Sequence, residues 1–452
     1  MKFPETLLRE RSGDVSLFEG PPAYDWMKKM VLYEVYVRDF SEEGTFAGTI
    51  KNLDRIKELG ATDVWLMPIH PIGKVGRKGS LGCPYSVADY MEVNPEYGTK
   101  YDFKTLVEEV HNRGMHIFID AVLNHSAHDN VNVKSNPDWF YKDDKGRFTR
   151  REIEWQDVID NNYSRQDFRE YLKNVLLYWV NEFGIDGYRC DVAHMVPQDF
   201  WEDVTGELRK VKPDLYMLAE SHGPGSEQLC KYAFQSDYKH EEYLLMKDII
   251  SGRAKATELL TYWTERRKVY PANYLPLNYV ENHDQQPAAK LFTKMGLRPY
   301  VVFTFTIPGI PLIYNSQELG RTHYLSLFEK DTIDWTDKDE ATFNFYKYII
   351  KFRKKHPCLT EGSIHPITTD NPDCLIAYTV KSPSENLLCV LNLSDKEVKA
   401  QLSLKMHDSV TSLENIYKYD GDNNKNIIKM SKKNGIQVEM DKFGIIIIQL
   451  NL

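Results

Sequence analysis

What the chain has little of narrows its function first. It holds six cysteines in 452 residues, at 83, 190, 230, 358, 374 and 389, and no two of them stand in CxxC spacing. A paired-cysteine zinc site and a redox dithiol are therefore not expected, and scattered thiols read as ordinary buried residues of a reducing compartment. No apolar run approaches the roughly 20 residues that a membrane span needs. Residues 1–20, MKFPETLLRERSGDVSLFEG, carry charges throughout and no apolar core. No secretory signal is read there, and the cytoplasm is the expected location. Lysine and arginine number 57 against 66 acidic residues, for a net charge of −9, and they form no cluster able to grip a phosphate backbone. Nucleic acid and membrane are thus not expected as partners, whereas a neutral ligand is compatible. No repeat or low-complexity tract occurs, and nothing in the sequence specifies an oligomeric state.

What is present is a strand–helix rhythm in a chain too long for one ordinary domain. With 42% hydrophobic and 27% charged residues the composition is that of a soluble protein with a large core. Most of the 28 Tyr, 20 Phe and 8 Trp belong to that core, and the rest suit stacking on the C–H faces of sugars. Short β-rich runs at 32–37, 63–67, 115–123, 185–190, 215–219, 277–281 and 310–314 alternate with helical patterns such as 103–113, 166–182, 198–211 and 343–354. A sixth strand is less defined near 232–237. Such alternation implies a parallel sheet with helical crossovers, and eight units predict an α/β fold closed into a (β/α)8 TIM barrel. An open doubly wound sheet is the alternative. Residues 126–163 are polar and loop-like, an insertion after strand three of a length usually tied to function. Beyond His356 the helices stop, and runs at 375–380, 387–392, 435–440 and 444–450 predict a C-terminal β module. The expected division is 1–125 with 164–355 for the barrel, 126–163 for a short inserted domain, and 356–452 for the tail.

In a parallel barrel the active face lies at the C-terminal ends of the strands. Four strand ends carry acids: Asp120, followed by Asn124 and His125 in DAVLNH; Asp191, closing GYRCD; Glu220, after the apolar MLA; and Glu281 and Asp284 in ENHD, beside His283. Residues two apart on a strand share a face, so Arg189 and Asp191 point one way and Cys190 the other. A guanidinium beside a carboxylate favours its ionised form, as a nucleophile needs; Glu220, ending an apolar strand near other acids, is expected to be held protonated. One carboxyl of each kind is the requirement of glycoside cleavage. Singly, each acid has a plainer reading as a helix cap or loop residue, and Asp120 as a brace of the barrel.

At these residues the sequence resembles the α-amylase superfamily of glycoside hydrolases. DAVLNH (120–125), GYRCDVAH (187–194), Glu220 in MLAES and YVENHD (279–284) are similar to its four signatures, in order. VYVRDFS (35–41), VWLMPI (64–69), CPYSVADY (83–90) and PGIPLIYNSQELG (308–320) also match. The resemblance spans about residues 31–355, and the tail is similar, more loosely, to the family's antiparallel β-sandwich. It implies Asp191 as nucleophile, Glu220 as acid/base and Asp284 as transition-state stabiliser. Arg189, His125 and His283 would bind around the reacting sugar, with Tyr85 beneath its ring and Asp120 structural. Asn124 matches a residue that ligates a structural calcium in many members, and Asp157 is the other candidate ligand. Two departures count against a required calcium and a preference for long starch: the inserted domain is short, and Val192-Ala193-His194-Met195 lacks the lysine common after the nucleophile. No cofactor is needed for the chemistry.

The expected function is retaining hydrolysis of α-glucosidic bonds in starch-derived glucans or maltooligosaccharides. The motifs leave open a transglycosylase using the same site, the choice between α-1,4 and α-1,6 bonds, and a non-catalytic carbohydrate-binding barrel.

Overall fold

The computed structural model describes residues 18–223, 225–403, 413–417, 426–431 and 435–450. Eight short, nearly fully buried strands form the central sheet: Leu32–Val35 (β1), Asp63–Leu66 (β2), His116–Ala121 (β3), Gly187–Cys190 (β4), Tyr216–Ala219 (β5), Ser236–Asp237 (β6), Leu277–Asn278 (β7) and Ile310–Tyr314 (β8). Every pairing is parallel, in the order β6-β5-β4-β3-β2-β1-β8-β7. A parallel bridge from Tyr238 to Leu277 joins the two remaining edges. The sheet therefore closes as a barrel, and the open alternative falls away.

The intervening helices form because their apolar residues recur at helical spacing. In Lys100–Asn112, Phe103, Leu106, Val107 and Val110 are buried on one face, and Thr99 and Asp102 close a reciprocal capping box that satisfies orphan N–H groups of the first turn. Each such side chain contributes about 1.5–3 kcal/mol when fully buried.

Period-two alternation splits the barrel core. Leu32, Trp65, Phe118, Leu218, Leu277 and Leu312 fill the interior, together with Met27 and Met30. Their strand neighbours Tyr33, Val64, Ile117, Tyr188, Met217 and Ile313 join the apolar faces of the helices. Two residues further along the inward face of three strands stand Glu34, Asp120 and Glu220, so the pleat that builds the core also delivers the charged layer to the mouth. Gly187 is a steric necessity in β4: a Cβ there would lie 2.1 Å from the Tyr216 carbonyl oxygen and 2.9 Å from the Phe118 ring.

The insertion after β3 holds a two-stranded antiparallel ribbon of His125–Ala127 against Val158–Asp160. In the tail, eight strands form one antiparallel sheet, and Ser363–Thr369 pairs with Leu375–Lys381 on one side and Val398–Ser403 on the other. Residues of both halves meet in a common core, Leu375, Leu388 and Ile446 with Leu402, Val438 and Met440, which is a β-sandwich. The tail is tied to the barrel by Tyr300 Oη, which donates to the Leu393 carbonyl at 3.0 Å, and by a 2.5 Å bond between Thr306 and Tyr378 hydroxyls.

Several boundaries differ from expectation. The first strand stops at Val35, because Val37–Phe40 turns into one helical turn. The sixth is only Ser236–Asp237, since Ser226–Tyr232 is helical. Four tail strands were not predicted: Ser363–Thr369, Val398–Ser403, Leu413–Asn415 and Ile427–Ser431. The first of these shows only Ile367 and Thr369 buried, so its apolar signal is faint.

Candidate active site

At the mouth of the barrel lies a cleft of about 220 Å³, open to solvent, whose lining includes Tyr85, His125, Asp191, Glu220, His283 and Asp284. The centre of the arrangement is Arg189. The register of β3 against β4 sets Asp120 beside Arg189, and Arg189 Nη1 donates to Asp120 at 2.8 and 3.0 Å and to Asp191 Oδ1 at 3.0 Å. Its Nη2 stands 2.8 Å from Glu220 Oε2 but off the hydrogen-bonding axis, an ion contact without a bond. Nε donates to Tyr238 Oη at 3.1 Å, and the guanidinium carbon sits 5.2 Å from the Trp65 ring and 5.5 Å from the rings of Tyr85 and Tyr238. One buried cation thus joins three acids on neighbouring strands, held in place by aromatic faces. Cys190 faces the helices, as its place in the strand predicts.

The turn after the proposed nucleophile is strained. Val192 has φ 35° and ψ 48°, an outlier for a β-branched residue. That conformation aims its N–H at Glu220 Oε2, 2.7 Å away, so the strain sits where it fixes a functional carboxylate.

The ionisation expected of the two central carboxyls is reversed. Burial pushes Asp191 well above the usual range, Glu220 adds to the rise, and Arg189 only partly opposes it. Burial also works against charge on Glu220, but Arg189 and the Val192 N–H hold it below its ordinary value. Glu220, at 17% exposure against 8% for Asp191, is also the wetter side chain. Spacing on the strand could identify Arg189 as a partner of Asp191, but not that the same guanidinium reaches across to Glu220. Burial raises Asp120 to about 6, with Arg189 opposing.

His125 and His283 carry different charges. Burial lowers His125 to about 4, so it is neutral, and its Nε2 donates to the Tyr85 carbonyl at 3.1 Å while Nδ1 accepts from Asn124 at 3.3 Å. Burial would likewise strip the proton from His283, but Asp284 and Glu34 more than offset it and raise it to about 9. Its Nδ1 lies 2.5 Å from Glu34 Oε1, and its Nε2 is 2.8 Å from Tyr85 Oη and 3.3 Å from Asp284 Oδ2. Tyr85 Oη in turn donates to Asp120 Oδ2 at 3.0 Å. Its ring stacks on His283 at 5.3 Å and 15° and also lines the cleft. Asp284 reaches solvent, with 45% of its side chain exposed. Glu281 turns away, accepting from Arg321 and from the Ala288 N–H at 2.7 Å each.

Sequence reasoning missed Glu34, which is fully buried. The signal was present: one carboxylate inside the apolar run LYEVYV, two residues from the interior Leu32. Replacing Glu34 by Gln removes an anion that holds the His283 proton. The stability His283 contributes as a cation is complete below about 6.5 and is lost as pH rises through about 9. In Glu34→Gln that loss, and the alkaline fall of kcat/KM, should begin at least about one pH unit lower, which pH–rate profiles and thermal melts at pH 7 to 9 would check.

The two residues named for calcium differ in their surroundings. That ion takes six to eight oxygen ligands. Asn124 does leave its Oδ1 buried without a partner, but Asp157 Oδ1 sits 3.3 Å from the Lys78 ammonium and the residue lines the sugar-sized cleft. Among the described residues no group of three or more His, Cys, Asp or Glu is placed to hold a metal. All six cysteines are free; four are buried, but Cys83 and Cys374 are half-buried, and Cys83 lines the cleft. No helix among the described residues is long and apolar enough to cross a membrane.

Comparison with known proteins agrees with this architecture. The family model "Alpha amylase, catalytic domain" matches residues 31–149 and 131–337. The chain is 33% identical to a maltogenic alpha-amylase of Thermotoga neapolitana whose crystal structure superposes with a TM-score of 0.83, covering 94% of this chain and 99% of that one. It is 29% identical over 423 residues to Alpha-amylase 2 of Dictyoglomus thermophilum, covering 84% of this chain and 71% of the relative. A cyclomaltodextrinase from a Bacillus species is 27% identical over 428 residues, 84% and 74% of the two chains. With the barrel, the converging carboxylates and the family match in hand, the chain belongs to the alpha-amylase family of glycosidases.

Proposed function

We propose that this enzyme cleaves α-glucosidic bonds of maltooligosaccharides or starch-derived glucans with retention of configuration. Asp191 is the nucleophile, Glu220 the acid and then the base, and Asp284 the group that holds sugar hydroxyls as positive charge develops at the anomeric carbon. Arg189 and the His283 cation supply fixed charge to the ring of acids, neutral His125 donates from Nε2, Tyr85 floors the cleft, and Asp120 anchors Arg189. The observation that carries this reading is the single guanidinium spanning Asp191 at 3.0 Å and Glu220 at 2.8 Å at the cleft.

One proton shared by the two carboxyls accounts for their reversed resting preference. A glycosidic oxygen placed beside Glu220 can only accept a hydrogen bond, so it favours the form with the proton on Glu220 and the charge on Asp191. Asp191 then attacks the anomeric carbon as Glu220 protonates the departing oxygen; water activated by Glu220 releases the sugar. These steps call for no bound cofactor. Six free thiols suit a cytoplasmic setting, where soluble oligosaccharides are the available substrates; names of relatives such as maltogenic alpha-amylase and cyclomaltodextrinase favour short glucans over long starch.

Chromatography of products from maltose, maltotriose, maltoheptaose, starch and pullulan tests this. Smaller sugars are expected, formed fastest from the oligosaccharides. Products longer than the substrate would make the enzyme a transglycosylase, and binding without turnover across the panel would end the catalytic reading.

A further inference from the structure

A second cavity lies where the segments after β6 and β7 meet the C-terminal sheet, and it shares no lining residue with the catalytic cleft. It encloses about 670 Å³ against about 220 Å³ for that cleft, a size within the range of small-molecule sites, which favour such domain interfaces. One wall is barrel, with Arg253, Lys255 and Thr293; the other is tail, with Asp373, Asp395, Lys396 and Phe443. The walls are joined beside it, since the Ala256 and Thr257 N–H groups donate to the Asp373 and Pro372 carbonyls at 3.2 and 3.1 Å.

Backbone strain marks this cavity as it marks the turn after Asp191. Of the four non-glycine residues with left-handed backbones among the described residues, Val192 adjoins Asp191, and two, Thr293 at φ 63° and Phe443 at φ 54°, line the cavity. Such positions suit glycine; a β-branched or aromatic residue there is held by its surroundings, most often at a functional site. Thr293 Oγ1 accepts from the Gly296 N–H at 3.1 Å, and the Phe443 N–H donates to the Ser394 carbonyl at 2.9 Å. The Phe443 ring packs so close that a Cβ on Gly296 would lie 3.0 Å from it, yet the residue is only half-buried and keeps a face toward the cavity. Charge narrows the ligand. Arg253 is held by Asp248 at 2.7 Å, and Lys255 stands 3.8 Å from Asp373. Asp395 and Lys396, neighbours in sequence, balance each other, so among the described residues the lining keeps no surplus charge to seat a phosphate or carboxylate. An aromatic face beside balanced acids, ammonium groups and a hydroxyl suits a neutral sugar, with its C–H face on the ring and its hydroxyls on the polar groups.

Resting on the α-glucosidic reading, we propose that this junction cavity is a second, non-catalytic site for a neutral maltooligosaccharide, which clamps the tail onto the barrel. The sugar lies on the Phe443 ring; its hydroxyls donate to Asp395 and accept from Lys396 and Thr293. Because one wall belongs to each domain, the bound sugar touches both and stabilises their docked arrangement by mass action.

The protein carries a reporter for each site. Cys83 lines the catalytic cleft and Cys374 the junction cavity; both are half-buried, whereas the other four thiols are buried. In Asp191→Asn, which holds maltoheptaose without turning it over, N-ethylmaleimide should alkylate both thiols, and peptide mapping separates them. Saturating maltoheptaose should slow each reaction at least about threefold, as occupancy of both sites requires. Adding Asp395→Ala with Lys396→Met, or Phe443→Gly, which places glycine where the backbone favours it, should abolish protection of Cys374 and spare that of Cys83. In the wild-type background the same substitutions should leave kcat on maltotriose unchanged. The thermal midpoint gives a reading independent of thiol reactivity: maltoheptaose should raise that of Asp191→Asn more than that of the cavity variants. Protection of Cys83 without Cys374, protection of Cys374 that survives both cavity variants, protection by inorganic phosphate in place of maltoheptaose, or an equal thermal rise in all proteins would each overturn the proposal. Protection of neither thiol, with no turnover of maltotriose by the wild type, would instead remove the α-glucosidic reading on which it stands.

Discussion

Asp191→Asn is expected to lower kcat on maltotriose by on the order of 10⁴-fold or more, the scale on which loss of a nucleophile acts, while the protein stays folded. The second half of that expectation follows from the site. Asp191 is buried beside Glu220 and Asp120, and these neighbours together with burial raise it well above the ordinary carboxylate range. An acid whose folded pKa is raised opposes folding once it ionises, so stability falls as pH rises through that value. The neutral isostere removes the opposition and keeps the hydrogen bond from Arg189 Nη1. Thermal midpoints of Asp191→Asn should therefore equal or exceed those of the wild type at pH 7 and above. A variant that lost activity only because it unfolded would not support the assignment.

Arg189→Met has the opposite signature, costing stability as well as activity. The guanidinium is 1% exposed and contacts Asp120, Asp191 and Glu220 at 2.8 to 3.0 Å. Removing one partner from such a buried ionic cluster typically costs about 3–5 kcal/mol, because the remaining charges stay buried and unpaired. The melting temperature should fall by several degrees at pH 7, and the deficit should shrink toward pH 5 as carboxyls take up protons. Arg189→Lys keeps the charge but not the planar fork that serves three acids at once. It should recover part of the stability while kcat/KM remains at least about 100-fold down. Melts and kinetics on the same samples decide both points.

The site was legible in the sequence where chemistry and period coincide. Asp120, Arg189 and Glu220 each lie two residues along the inward face from Phe118, Gly187 and Leu218, so a strand reading alone brings them to one rim. Glu34 obeys the same rule from Leu32 but was absorbed into an apolar run, since periodicity cannot separate a buried charge from a strand that faces both ways. Ionisation states were not legible. They depend on which acid Arg189 and the Val192 N–H reach, and the left-handed turn at Val192 leaves no mark in a valine codon. The barrel strands were found because they are apolar on both faces; Ser363–Thr369, polar and carrying Pro366, looked like loop. Asp157 shows the limit most clearly: the resemblance offered it as a calcium ligand, whereas its pairing with Lys78, 79 residues away in sequence, and its place on the cleft wall show only in the fold.

The central claim, a covalent sugar on Asp191, has a direct measurement. A fluorosugar such as 5-fluoro-α-glucosyl fluoride forms the glycosyl-enzyme readily and releases it slowly, so the intact protein should gain the mass of one fluoroglucosyl unit. Peptide mapping should put that mass on Asp191, and proton NMR of the first product formed from maltotriose should show the α anomer. A label on Glu220, or no label together with a β-anomeric first product, would contradict the account.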